Sequence, residues 1–116
     1  MAESMDDILH PGLGGAPEGF PHAPSGWTPA EGEKVLAGEG VVPGPGHWDV
    51  VRALQAYFVR HDHHVSNLRE LYDALDERFH REGGRRYLFE LFPEDPIAQG
   101  CRLGGLKPPM GYRDPS

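Results

Sequence analysis

The stretch HWDVVRALQAYFVRHDHHVSNLRELYDALDERFHR, residues 47–81, decides the fold. It holds neither glycine nor proline, although the chain has 16 glycines and 12 prolines in 116 residues. Trp48, Val51, Leu54, Tyr57 and Phe58 recur at three- and four-residue spacing, which lays one apolar stripe along a helix over His47–Val59. The polar run Arg60-His61-Asp62-His63-His64 then turns the chain. Asn67 and Glu70 form a capping box, and Leu68, Leu71, Tyr72, Leu75 and Phe79 share one face of a second helix that Gly83-Gly84 stops.

Outward from this pair the elements are shorter. Upstream, Thr28-Pro29-Ala30-Glu31 reads as an N-cap, a proline at the first helical position and an acidic first turn, so a helix runs to about Ala37 before Gly38 and Gly40. Gly32 inside it costs roughly 1 kcal/mol of helix propensity relative to alanine. Val41 to Gly46 reads as a linker. Residues 1–18 form an irregular lead-in, where Asp7-Ile8-Leu9-His10 with a Gly12–Gly15 turn is a candidate β-hairpin. Downstream, Tyr87 to Phe92 is a compact apolar run read as a short buried helix. Asp95 caps and Pro96 opens a last helix to about Leu103, closed by Gly104-Gly105. Residues 106–116 carry three prolines and no periodicity, so they read as a flexible, extended C-terminal arm.

The expected fold is mostly α: a small orthogonal helical domain over residues 19–105, with that N-terminal hairpin and the C-terminal arm. Its expected core is Trp48, Val51, Leu54, Phe58, Leu68, Leu71, Leu75, Tyr87, Phe89, Leu91 and Phe92.

Charge and cysteine bound the function. The chain has 11 basic and 18 acidic side chains, a net −7 that repels phosphate backbones. Residues 1–77 carry four basic and thirteen acidic groups, a net −9; residues 78–116 carry seven and five, a net +2. An anionic partner is therefore expected to meet the C-terminal third. No apolar run has the length of a membrane span, and no signal-peptide pattern opens the sequence, so a cytosolic protein is expected. Cys101 is the single cysteine, which excludes an intramolecular disulfide and leaves it as the one candidate sulfur nucleophile. Arg102 beside it favours the thiolate, whereas a place near a helix C-terminus opposes it, and the competing reading is a small, buried, inert thiol covered by the arm. His61, Asp62, His63 and His64 are consecutive turn residues that do not converge as zinc requires, so no metal and no cofactor is expected.

Several blocks resemble the DsrC/TusE family of small sulfur-trafficking proteins. They are Gly19-Phe20 with Pro24-Ser25-Gly26-Trp27; Leu36-Ala37, Glu39-Gly40 and His47-Trp48; Leu68-Arg69, Leu71 and Ala74-Leu75; Tyr87-Leu88-Phe89-Glu90-Leu91-Phe92-Pro93; and Cys101-Arg102-Leu103-Gly104-Gly105-Leu106-Lys107-Pro108. The resemblance covers about residues 19–113. It implies a compact helical domain with a mobile arm whose terminal cysteine bears a persulfide, joined in some members by a second cysteine eleven residues earlier.

Cys101 falls on that earlier, body-side cysteine, and the carrier position holds Tyr112. A phenol forms no persulfide, and its ordinary pKa near 10 keeps it protonated at neutral pH. An arm of eleven residues reaches roughly 36–40 Å, so two readings of Tyr112 stand open: an anchor in a partner's pocket, or an aromatic that folds back onto its own domain. Arg69 matches a characteristic family arginine, and Arg85, Arg86, Arg102 and Lys107 are candidates for the surface where the arm lies or an anionic partner docks. Three functions stand open at this point. The first is a regulatory or interaction protein that has lost the carrier role, meeting a sulfite reductase-like or thiolation-relay partner. The second is a persulfide carrier working through Cys101. The third is a helix-turn-helix-like DNA-binding regulator using the two central helices, which Asp73, Asp76 and Glu77 on the second of them oppose.

Overall fold

The computed structural model describes residues 17–65 and 67–109. The candidate hairpin at Asp7–His10 and Tyr112 lie outside the described residues. Among the described residues five α-helices form in the order expected: α1 Pro29–Ala37, α2 Pro45–Arg60, α3 Leu68–Arg78, α4 Arg85–Leu91 and α5 Pro96–Leu103, with a short 3₁₀ turn at His80–Glu82.

The caps explain the boundaries. Thr28 is extended and its Oγ1 accepts from the Glu31 N–H at 3.3 Å, while Asn67 Oδ1 accepts from the Glu70 N–H at 3.1 Å. Asp95 Oδ1 takes the N–H groups of both Ile97 (3.0 Å) and Ala98 (2.9 Å). At α2 the expectation is corrected: the helix starts two residues before His47, because a proline at its first position has a suitable φ and no N–H to leave unpaired. His47 supplies the cap there. Its Nδ1 accepts from the Gly44 N–H at 3.0 Å, and its Nε2–H donates to the Leu91 carbonyl at 2.8 Å, tying α2 to the end of α4. The α2–α3 turn is closed by Asp62 (φ 54°) and His63 (φ 59°), with the His63 N–H on the Phe58 carbonyl at 2.7 Å. The second correction is at α3, which ends at Arg78; the 3₁₀ turn and Gly83 (φ 130°) carry the chain to Gly84.

The centre of the molecule is α5. Pro96 to Cys101 and Leu103 are all buried along it, and α1 and α2 pack on its two sides. Leu36, Val50, Val51, Leu54, Leu71, Leu88 and Phe92 complete the solvent-free core. Gly32 makes the α1–α5 approach close enough: any Cβ there would run into the Leu103 carbonyl oxygen. The residue that weakens α1 as a helix is the one that lets it dock.

Part of the expected core is corrected. Phe89 is 39% exposed, and Trp48, Leu68, Tyr87 and Leu91 are half-buried at the edge. The seven-residue α4 turns only one side inward, so Leu88 and, one turn on, Phe92 are buried while Arg85, Arg86 and Phe89 face out. The apolar run 87–92 is thus an edge helix and not a buried one.

Candidate functional site at the root of the C-terminal arm

Cys101 sits in α5 with no solvent exposure. Its thiol is pushed from an ordinary 9.0 up to about 12, first by burial and then by the Asp95 carboxylate, with Arg102 opposing. An anion inside an apolar wall loses its hydration and gains little in return. Arg102 offsets this only in part, and much of its charge is engaged elsewhere. Arg102 Nε donates to Glu39 Oε2 at 2.6 Å and its terminal nitrogen to Glu39 Oε1 at 2.9 Å, a two-pronged ion pair. Gln99 Nε2 adds a third donor to Glu39 at 3.1 Å, and Gln99 Oε1 accepts from the Glu94 N–H at 3.1 Å. Glu39 is held below the usual carboxylate range, chiefly by Arg102. The cluster fastens the end of α1 to α5 directly beside the cysteine's own turn.

The arm begins under equally close control. The Leu106 N–H returns to the Cys101 carbonyl at 2.8 Å, so the first arm residue closes over the turn that carries the thiol. Trp27 Nε1 donates to the Leu103 carbonyl at 3.0 Å, and Gln55 Nε2 donates to the Gly104 carbonyl at 2.9 Å from a side chain only 1% exposed. Gly105 has φ 75° and lies against the Trp27 ring, where a Cβ would overlap the indole at 2.5 Å. Trp27 is itself braced edge-on by Phe20 and Trp48, with ring centres at 5.1 and 6.4 Å. Beyond Gly105, Leu106 and Pro109 are buried and Lys107 is exposed. Lys107, Pro108 and Pro109 border a groove of about 230 Å³ with Phe58, His63 and His64.

The candidate residues therefore separate into groups. Cys101, Arg102 and Lys107 lie at the arm's root. Arg85 lies elsewhere, its guanidinium 5.0 Å over the Tyr72 ring and its N–H on Asp76 Oδ1 at 2.7 Å. Arg69 and Arg86 are exposed on α3 and α4. His61 stacks on Tyr57 at 4.1 Å and bonds its carbonyl at 2.8 Å; among the described residues no three His, Cys, Asp or Glu side chains are placed to share a metal. Among the described residues, too, no helix is long and apolar enough to cross a membrane. Sequence reasoning missed Trp27, Glu39 and Gln55 as builders of this site. Trp27 and Glu39 stood in the quoted blocks, but nothing local marks their partners, which lie 76 and 63 residues away.

The family described as "DsrC like protein" matches residues 15–112. The sulfurtransferase TusE of Escherichia coli strain K12 is 31% identical over 94 residues, covering 80% of this chain and 85% of the relative. TusE of Salmonella typhimurium matches to the same extent. Among solved structures, the NMR structure of Allochromatium vinosum DsrC aligns with a TM-score of 0.64 and 28% identity, over 84% of this chain and 87% of that one.

Proposed function

The chain belongs to the DsrC-like family, and on that premise we propose that it serves sulfur metabolism through protein contacts without itself carrying sulfur. The observation that supports this reading is the complete burial of Cys101. Sulfur loading needs a thiolate that attacks the outer sulfur of a donor persulfide, forming a new S–S bond while the donor leaves as a thiolate. A thiol pushed to about 12 and closed off by core side chains supplies almost no such nucleophile at neutral pH. The position that bears the sulfur in the family's carriers is Tyr112 in this chain, which cannot do this chemistry.

In this reading Tyr112 is the anchor the arm offers to a cytosolic sulfur-relay partner, either sulfite reductase-like or of the thiolation-relay type. Arg69, Arg85, Arg86 and Lys107 supply surface charge for that contact, and Arg102 holds the arm's root through Glu39. The carrier reading through Cys101 requires the core around α5 to open first. The test is Tyr112→Cys. With a small persulfide donor, the variant is expected to gain one sulfur on the arm, located by peptide mass spectrometry, while Cys101 stays unmodified. Loading of Cys101 in both proteins would overturn the reading.

A further inference from the structure

Away from the arm, α2 and α3 enclose a groove of about 170 Å³ that the proposed function does not use. It is lined by Ala53, Ala56 and Tyr57 of α2 and Ala74 and Leu75 of α3, with Arg52, Arg60 and Arg78 beside them and no carboxylate among the lining residues. Asp49 neutralises Arg52, so the positive charge left at this cleft is that of Arg60 and Arg78. Arg52 is committed to its own fold: it donates to the Gly19 carbonyl at 2.7 Å and to Asp49 at 2.9 Å, and it lies 4.6 Å over the Phe20 ring. Arg60 and Arg78 are different. Each lies over an aromatic ring, Tyr57 at 5.8 Å and Phe79 at 5.6 Å, and neither takes part in an ion pair among the described residues. A ring beneath a guanidinium steadies its plane while leaving its donor edges open to a ligand.

We infer that this groove is a docking site for an acidic segment of a partner protein, a carboxylate side chain entering between Arg60 and Arg78 over the alanine floor. The charge pattern selects a compact carboxylate over a phosphate backbone. On the other side of Arg78, Asp73, Asp76 and Glu77 border a neighbouring cleft together with that arginine, and they repel an extended polyanion. The volume points the same way, since the alanines make a pocket for a side chain and not a trough for a helix. The site shares no residue with the arm's root and does not depend on whether Cys101 reacts.

A fluorescein-labelled peptide of alternating glutamate and leucine, added to the full chain, tests it by fluorescence anisotropy at low salt. Expected is saturable binding that weakens with added salt, lost about tenfold or more in the Arg60→Ala/Arg78→Ala double variant, with an unchanged melting temperature. A glutamine-for-glutamate peptide should bind at least tenfold less well. The inference is overturned if the glutamate peptide does not bind, or if the double variant binds it as tightly as the parent. It is overturned in favour of a polyphosphate partner if a single-stranded oligonucleotide binds more tightly with the same arginine dependence. A tenfold gain in peptide affinity on E3Q/D6N/D7N would assign the groove to the chain's own acidic lead-in instead.

Discussion

Glu39 grips Arg102 through both carboxylate oxygens, at 2.6 and 2.9 Å, and so the charge nearest Cys101 in sequence is shared with an acid just past the end of α1 and lowers the thiol's pKa only in part. Glu39→Gln should cost about 1 kcal/mol, a modest figure because Arg102 is 38% exposed and water screens the pair. The pH dependence has a definite sign. The folded protein holds Glu39 below its ordinary 4.5, so the pair stabilises above that pH and its contribution fades as pH falls through the depressed value. Denaturant midpoints in acid should therefore decline less steeply in the variant than in the parent. An identical acid slope would mean the pair adds nothing.

Gly32→Ala sets two effects against each other. Helix propensity favours alanine by about 1 kcal/mol. The new methyl would meet the Leu103 carbonyl, a backbone atom that cannot rotate away, and overpacking costs about 1–3 kcal/mol. We expect net destabilisation in urea unfolding; a gain in stability would show that α1 does not pack on α5 as described.

Leu88→Ala and Phe89→Ala, two adjacent residues on α4, should behave oppositely. Leu88 is fully buried and its truncation should cost about 2–5 kcal/mol. Phe89 is 39% exposed and its loss should stay within about 0.5–1 kcal/mol. Equal costs in thermal unfolding would contradict the edge position of α4.

Those two residues also show where the sequence was readable. The caps at Thr28, Asn67 and Asp95 and the stripe on α2 are local signals, and each helix they mark is present. An apolar run has no inside until its neighbours are known, so the expected core took Tyr87, Phe89 and Leu91 and left out Leu88, whereas the buried face is that of Leu88 and Phe92. The centrality of α5 was hidden for the same reason: Gly100 and Cys101 are too small to signal a core, and Gln99 is buried only because Glu39 and the 94–95 backbone satisfy it. Cys101 itself stood out as a lone cysteine, while its burial depended on contacts no spacing encodes.

In alkali the sealed thiol should make itself felt. Cys101 rises from 9.0 to about 12 and the Tyr72 hydroxyl from 10.0 to about 12, the latter by burial and the facing Asp95. The unfolded chain releases these protons first, so stability is unaffected below about pH 9 and falls between there and about pH 12. Cys101→Ala should flatten the first part of that decline, followed by chemical denaturation across the window. A parent protein whose stability holds level to pH 11 or so would mean neither group is buried as described.

The most direct measurement treats the folded parent chain with a small persulfide donor at neutral pH and reads its intact mass, alongside the same chain in denaturant. The folded protein is expected to keep its mass while the denatured chain gains sulfur at Cys101, because only unfolding exposes and ionises that thiol. A rapid, stoichiometric gain of one sulfur at Cys101 in the folded protein would contradict it and make the chain a carrier.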